Sequence, residues 1–304
     1  MPLIKAELKN LPDGSQGRVY PFHISYEGME KIIICRDDDD YDRFVKCMAV
    51  CARRKNVIII IYAVVSNHAH IAILAKSYSE AYDYAYELKR VYSQMFAYKY
   101  KISKSLRKAG VDVEYLDSDW YLRNALAYIP RNAYDNGAES IKNYKWSGYR
   151  AMFTKGEANV PVKKVSLLTK REKESIMHTG DDLPDVKWLL NPDYELEPVS
   201  FCDYDYLEKT FGYSEAFFCK CIGEVNVSEM THKLVISPRV RKNDAEMMTD
   251  VEALAEKWYS QKIENLSSEH KARLLQYVKR TMKTSIPQLA RIFGLERQVI
   301  EKLL

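Results

Sequence analysis

Two histidines lie one residue apart at the end of a long apolar run in this chain of 304 residues. The run covers residues 57–75 and reads VIIIIYAVVSNHAHIAILA, with the pair at His68 and His70. Side chains at i and i+2 of a β-strand point to the same face, so both imidazoles would leave one side of a buried strand. Two neutral imidazoles directed at one point can hold a divalent cation. Two core histidines hydrogen-bonded to their neighbours would give the same pattern, so the pair alone leaves both interpretations open.

A tyrosine and an asparagine share one face of a predicted helix further along the chain. Tyr128 and Asn132 stand at i and i+4 in the segment ALAYIPRNAY, and residues at this spacing are neighbours on a helix surface. A tyrosine hydroxyl can act as a nucleophile, and an amide oxygen can complete a metal shell that two histidines begin. Pro130 lies between the two residues. We expect it to kink or end the helix, because proline lacks the backbone donor.

The elements that must position these residues follow a β-α-β-β-α-β order with one more helix at the end. Hydrophobic periodicity and turn signals predict strands over Arg18–Tyr26, Val57–Ser66, His70–Ala75 and Val111–Leu116, and helices over Tyr41–Arg54, Tyr78–Lys101 and Trp120–Asn132. This order predicts an α+β protein with a ferredoxin-like antiparallel sheet. We expect the first and third of these strands to be central and the helices to cover one face.

The composition changes after about residue 153, which suggests three parts. We expect a first domain over residues 1–155, a mainly helical connecting region over 156–265 and a basic helical segment over 266–304. In the last part, Ala290 and Gly294 stand four apart between two short apolar patterns. That spacing is typical of a helix-turn-helix, in which alanine allows close helix contact and glycine allows the turn. A plain helical hairpin remains the alternative.

The net charge of +4 is unevenly distributed along the chain. Residues 87–108 hold seven basic residues, one acid and several interleaved aromatic residues, and residues 266–304 hold eight basic residues against three acids. Basic groups neutralise backbone phosphates, while aromatic faces stack on unpaired bases. The sequence therefore predicts a surface for single-stranded nucleic acid, although a solvated lysine-rich helix face would have the same composition. The candidate DNA-binding residues are Lys89, Arg90, Tyr92, Lys99, Lys101 and Arg297.

Several other classes of protein do not fit this sequence. No apolar run reaches the roughly 20 residues of a membrane span, and the N-terminus lacks the apolar core of a secretory signal. The six cysteines fit no zinc template well, which favours reduced core thiols. There is no glycine-rich phosphate loop. We therefore expect a cytoplasmic protein with no membrane partner and no nucleotide cofactor.

Four segments, taken in order, resemble the HUH single-tyrosine transposases, and in particular the REP-associated tyrosine transposases. The segments read RDDDDYDRFV, YAVVSNHAHI, YLRNALAYIPRN and NYKWSGYRAMF. They are similar to the family's acidic helix start, its Asn-His-x-His strand, its Tyr-Ile-x-x-Asn helix and the tryptophan-containing segment that follows. The resemblance covers about residues 18–153.

The resemblance implies that Tyr128 is the nucleophile and that His68, His70 and Asn132 bind Mg²⁺ or Mn²⁺. It implies an endonuclease that nicks single-stranded DNA and transfers the strand through a 5′-phosphotyrosine and a free 3′-hydroxyl. The implied substrate is a hairpin-forming repeat, and the acting unit is a monomer or a homodimer.

Two other functions remain open from the sequence. The first is a transposase-derived DNA-binding regulator whose catalytic site has decayed. The second is a two-histidine metallohydrolase that uses activated water. Tyr92, in the basic aromatic helix, is a second candidate for the nucleophile.

Overall fold

The structure is a computed structural model that describes residues 4, 6–26, 33–102, 110–135, 140–158, 160–224, 242, 244–282 and 284–304. Its strands are β1 (Glu7–Asn10), β2 (Gln16–Ser25), β3 (Ile58–Val64), β4 (Ala69–Ala75), β5 (Asp112–Tyr115), β6 (Lys163–Lys164) and β7 (Leu189–Leu190). Its first six helices are α1 (Asp38–Arg54), α2 (Tyr78–Tyr100), α3 (Asp119–Asp135), α4 (Lys170–Met177), α5 (Tyr204–Thr210) and α6 (Glu215–Glu224). The last four are α7 (Asp244–Tyr259), α8 (Ser268–Thr281), α9 (Ile286–Phe293) and α10 (Arg297–Leu303).

The main sheet is antiparallel and is built around β2 and β4. β4 pairs with β2 from Tyr20↔Ala75 to Ser25↔His70, and its other edge pairs with β3. β5 pairs with residues 22–25 of β2 on the edge opposite β4, and β1 pairs with residues 16–19. All seven residues of β4 are buried. The predicted combination of an antiparallel sheet with helices is therefore confirmed.

Helices pack on both faces of this sheet, so the prediction that they cover one face is wrong. The Tyr26 hydroxyl donates to the Ala85 carbonyl of α2. Side chains alternate between the two faces along a strand, so Tyr26 lies on the opposite face of the sheet from His23 of β2. His23 pairs with Ala72 of β4, so it shares its face with His70. On this face, the ring of His70 contacts Tyr128 of α3. The physical reason is that α3 carries polar residues that meet the polar residues of the strands, so it occupies the face that α2 leaves open.

Local signals account for the ends of the first helices. Asp37 caps α1 by accepting from the backbone N–H of Asp40, at 2.9 Å, and the acidic first turn suits the positive end of the helix dipole. Ser77 caps α2 in the same way. The third helix differs from expectation, because α3 continues through Pro130 and ends at Asp135. A proline removes one helical hydrogen bond, but packing of the buried residues on both sides of it can hold the helix together.

The buried apolar residues form two clusters. The larger cluster contains the sheet and α1–α3, and it also includes residues of α4–α6 as far as Ile222. The smaller cluster joins α7 to α8, α9 and α10, from Met247 to Ile300. The predicted boundary at residues 265 and 266 thus falls inside the smaller cluster. Among the described residues, no helix is long and apolar enough to cross a membrane.

Polar contacts connect the C-terminal helices to the residues just before α3. The Ser285 hydroxyl donates to Oδ2 of Asp117 at 2.9 Å, and the same hydroxyl caps α9 by accepting from the Gln288 N–H. Arg291 holds Asp244 through two hydrogen bonds of 2.7 and 2.9 Å. Burial raises the pKa of Asp117. The Ser285 contact therefore matters, because a buried carboxylate needs its hydrogen-bond donors.

Replacing Ser285 should cost more stability than replacing an ordinary helix cap. Ser285→Ala removes both a cap and a donor to a buried carboxylate, and we expect a loss of roughly 2–3 kcal/mol in the free energy of unfolding. Ser267→Ala is the matched control. It removes only the cap that the Ser267 hydroxyl makes with the His270 N–H of α8, so about 1 kcal/mol is expected. Urea unfolding of the full chain measures both losses. Equal losses in the two variants would contradict the proposed contact.

Candidate active site

A tight turn between β3 and β4 places the two histidines. The backbone N–H of Val65 donates to the His68 carbonyl at 2.9 Å, which reverses the chain within four residues. His68 is half-buried just before β4, and His70 lies within the strand at 8% exposure. Their ring centroids are 5.2 Å apart at an interplanar angle of 79°. The two imidazoles therefore lie beside each other at one end of β4.

Helix α3 brings the tyrosine and the asparagine to these histidines. Oδ1 of Asn132 lies 2.7 Å from Nε2 of His68, and Nδ2 of Asn132 donates to the Tyr128 hydroxyl at 3.1 Å. The Tyr128 ring meets the His70 ring with centroids 5.1 Å apart at 72°. One amide thus links a histidine to the tyrosine. We refer to His68, His70, Tyr128 and Asn132 as the His–Tyr site.

The donor set of the His–Tyr site fits a divalent cation. Nδ1 of His68 lies 2.8 Å from Oδ1 of Asn67, an oxygen that can only accept. If the ring is neutral and Nδ1 donates, the lone pair on Nε2 faces the Asn132 oxygen at 2.7 Å. Without an ion, Nε2–H of His68 can instead donate to the Asn132 oxygen as an ordinary hydrogen bond, whereas with an ion both atoms would offer it a lone pair. Adjacent ligands of an octahedral Mg²⁺ lie about 3 Å apart, close to this spacing.

A third histidine, His23, contacts the His–Tyr site, and the sequence pattern did not identify it. Nε2 of His23, on β2, lies 3.1 Å from Nδ1 of His70, and the rings stack with centroids 5.2 Å apart. Burial lowers the pKa of His23 to about 4. Burial also lowers the pKa of His70, and the neighbouring His23 and His68 lower it further. His70 is therefore neutral at pH 7, the state that a metal ligand requires. His23 could have been found only with the register of β2 against β4.

The tryptophan-containing segment closes the edge of β3 beside the histidine turn. The Val64 N–H donates to the Trp146 carbonyl at 3.0 Å, and the Ser147 hydroxyl donates to the Tyr62 carbonyl at 3.2 Å. A Cβ atom added to Gly148 would lie 3.1 Å from the backbone nitrogen of Tyr62. The close approach therefore favours glycine at this position. These contacts hold the end of β3, and with it the turn that carries His68.

Two of the predicted DNA-binding residues are already engaged within the protein. Tyr92 is only 3% exposed, and its hydroxyl donates to the Ile34 carbonyl at 2.6 Å. Burial raises the pKa of Tyr92 far above its usual value, so this residue is placed neither to stack on a base nor to act as the nucleophile. Lys99 contacts the carboxylates of Asp37, Asp39 and Asp40 at 2.7–2.8 Å. These three carboxylates are close enough to hold a metal ion, but the ammonium of Lys99 already lies against all three of them.

The other candidate DNA-binding residues differ in how accessible they are. Lys89 is half-buried, and partial burial lowers its pKa. Arg90 pairs with Glu87 of its own helix at 2.8 Å. Lys101 is exposed directly after α2, and Arg297 is exposed at the first residue of α10. Three further basic residues of the predicted surface lie outside the described residues (Lys104, Arg107 and Lys108).

No family model, no curated protein and no solved structure matches this chain. The interpretation of the site therefore depends on its residues and their geometry.

Removing the amide of Asn132 should destabilise the protein measurably. Asn132→Ala deprives His68 and the buried Tyr128 hydroxyl of a shared partner, and we expect a loss of about 1–3 kcal/mol in the free energy of unfolding. Asn124→Ala is the matched control on α3. Its amide bonds the Trp120 carbonyl of the same helix, so a loss below about 1 kcal/mol is expected. Denaturant unfolding followed by circular dichroism measures both. A loss in Asn132→Ala no larger than in the control would contradict the bridging role.

Proposed function

We propose that this chain is a metal-dependent nickase and strand transferase for single-stranded DNA, of the HUH single-tyrosine transposase type. The observation that carries this proposal is the contact of one amide, that of Asn132, with both His68 and Tyr128. The buried polar groups satisfy one another here, and the same grouping places a phenol beside two imidazoles and an amide that can hold a cation. Neither the hydrolase nor the regulator explains why the phenol belongs to this group.

The topology supports the same proposal. The strand order β3-β4-β2-β5 is antiparallel, with α1 connecting β2 to β3 and α2 connecting β4 to β5. We infer a ferredoxin-like core, to which β1, α3 and the later helices are additions. In this core, His70 belongs to a central strand, His68 lies in the turn just before it, and α3 follows the last strand of the unit.

The reaction that we propose is a nucleophilic displacement at phosphorus. The Tyr128 hydroxyl gives its proton to solvent as its oxygen forms a bond to the phosphorus. The bond from phosphorus to the 3′ oxygen breaks, and the departing oxygen takes up a proton from solvent. A free phenol is a poor nucleophile, because its ordinary pKa is about 10. When bound, Mg²⁺ or Mn²⁺ supplies positive charge that polarises the phosphate. The residues that would hold the ion are His68, His70 and Asn132.

The chain's own contribution to activating Tyr128 is a hydrogen bond. The Asn132 amide donates to the Tyr128 oxygen, and a donor to that oxygen stabilises the phenolate more than the phenol. The same amide contacts Nε2 of His68, so it holds the Tyr128 hydroxyl near that ring. Tyr128 is only 7% exposed, which keeps bulk water from competing for the phosphotyrosine once it has formed.

The substrate that we propose is single-stranded DNA next to a hairpin, bound by a monomer or a homodimer. Of the aromatic residues near the end of α2, Tyr98 is 90% exposed and Lys101 is exposed one turn further on. An exposed ring beside a cation suits stacking on an unpaired base, with the cation on its phosphate. The stacking residue that we propose is therefore Tyr98 and not Tyr92. Arg297 remains the proposed contact in the C-terminal helices.

Tyr128→Phe should abolish covalent attachment of DNA. Wild-type protein incubated with Mn²⁺ and hairpin-bearing single-stranded DNA is expected to give a DNA-linked peptide that contains Tyr128, identified by mass spectrometry. Tyr134→Phe is the matched control on α3, because Tyr134 is 53% exposed, and it should retain wild-type attachment.

Each alternative function predicts a different outcome of this experiment. Cleavage without a DNA-linked peptide, unchanged in Tyr128→Phe, would identify the two-histidine metallohydrolase. Binding without cleavage would identify the DNA-binding regulator. A linked peptide that contains Tyr92 would show that the nucleophile was assigned to the wrong residue.

Tyr98→Ala should weaken binding of single-stranded DNA by roughly 1–3 kcal/mol, the usual contribution of one stacked base. Tyr213→Ala is the control, because Tyr213 is also well exposed, at 60%, but lies between α5 and α6, where its hydroxyl donates to Asp205. Fluorescence anisotropy with a labelled oligonucleotide at fixed salt measures both affinities. If the two variants bind equally well, Tyr98 does not belong to the DNA surface.

A further inference from the structure

The buried imidazole of His23 has no part in the reaction proposed above, yet it contacts a member of the His–Tyr site. His23 is 1% exposed and stands directly opposite Ala72 in the pairing of β2 with β4. It therefore shares a face with His70, two residues before Ala72. Its Nε2 lies 3.1 Å from Nδ1 of His70, and the two rings are nearly parallel, at 20°. Paired strands on both sides fix the positions of the two rings.

A single hydrogen occupies this contact, and its position decides what His70 can do. If Nδ1 of His70 donates to His23, then Nε2 of His70 carries a lone pair and can bind a cation. If instead Nε2 of His23 donates, then Nε2 of neutral His70 carries the hydrogen and cannot bind one. The two arrangements have the same heavy-atom geometry, but they differ in the chemistry available to the site.

The neighbouring histidine shows which arrangement a bound cation requires. Nδ1 of His68 faces the side-chain oxygen of Asn67 at 2.8 Å. Nε2 of the same ring faces the side-chain oxygen of Asn132 at 2.7 Å. Since neither oxygen has a hydrogen to give, Nδ1 of His68 must be the donor wherever Nε2 keeps its lone pair for an ion. In that arrangement both histidines use Nδ1 to bond a side chain of the surrounding structure, and both keep Nε2 for the ion. A ring held through Nδ1 in this way is the usual support of an imidazole ligand.

We propose that His23 is a positioning residue, which accepts a hydrogen bond from Nδ1–H of His70 and so keeps the lone pair of Nε2 available to a divalent cation. This inference rests on the proposed function for the cation and goes beyond it in assigning a tautomer and the residue that fixes it. His23 does not itself bind the ion, because its Nε2 is used in the contact. It acts through His70.

The first test reads the tautomer directly in the metal-free protein. Long-range ¹H–¹⁵N NMR spectra of ¹⁵N-histidine protein distinguish a protonated Nδ1 from a protonated Nε2. We expect Nδ1–H for His70 in the wild type and in His23→Gln, whose amide oxygen can accept in place of the ring nitrogen. In His23→Phe, which keeps a ring but has no acceptor, we expect a shift towards Nε2–H. Finding Nε2–H for His70 in the wild type would overturn the proposal, whether or not any variant folds.

The second test measures Mn²⁺ affinity by electron paramagnetic resonance, without DNA. We expect His23→Phe to bind Mn²⁺ about 10- to 100-fold more weakly than the wild type, as is usual when the support of a ligand is removed. His23→Gln should restore most of the affinity. His270→Phe is the control, because His270 stacks on Tyr259 in the C-terminal helices, and it should bind Mn²⁺ like the wild type.

Comparison with the ligand variants separates failure of this inference from failure of the proposed function. If His70→Ala loses Mn²⁺ binding while His23→Phe keeps full affinity and the wild-type tautomer, the positioning role is wrong and the metal site stands. If neither His68→Ala nor His70→Ala changes Mn²⁺ affinity, the proposed metal site is wrong. The tautomer of wild-type His70 then still decides whether His23 accepts its hydrogen bond.

Discussion

Buried polar groups need hydrogen-bond partners, and this requirement governs how α3 meets the sheet. β4 is fully buried, and His70 is the one polar side chain among its seven residues. The helix supplies Tyr128 and Asn132 at the same level, so the polar groups satisfy one another inside an otherwise apolar layer. A rotation of α3 by one residue would break these contacts and bury several groups without partners. The position of the helix and the register of the sheet are therefore fixed together.

Much of the sheet could be predicted from the sequence, because each strand and helix carries its own local signal. The apolar run before His68 places β3 to within about two residues, and the periodic pattern places the start of α2 at Tyr78, as observed. β1 was missed, although the segment LPDGS before β2 contains a turn signal and Gly14 adopts a positive φ of 85°. The face that α3 occupies could not be predicted, since it depends on polar contacts between residues far apart in the sequence.

The candidate site could likewise be predicted only in part from the sequence. Spacing within a strand and within a helix brought out His68, His70, Tyr128 and Asn132, and the resemblance to a family joined the two pairs. His23 was missed because its partner lies 47 residues away and the contact depends on register. The basic pattern of α2 was misleading for a related reason. A helical periodicity does not reveal that Lys99 meets three aspartates from α1 and its cap, or that Tyr92 points into the core.

The contact of Ser285 with Asp117 has a mechanical consequence for α3. The helix is tethered at one end to the C-terminal helices, just before Asp119, and at the other end to the histidine turn through Asn132. A force applied to the C-terminal helices would be transmitted along α3, because this helix is held at both ends. The Tyr128 hydroxyl lies beside Asn132, which holds the end of α3 nearer the histidine turn. A displacement of the C-terminal helices would then shift the Tyr128 hydroxyl relative to the sheet.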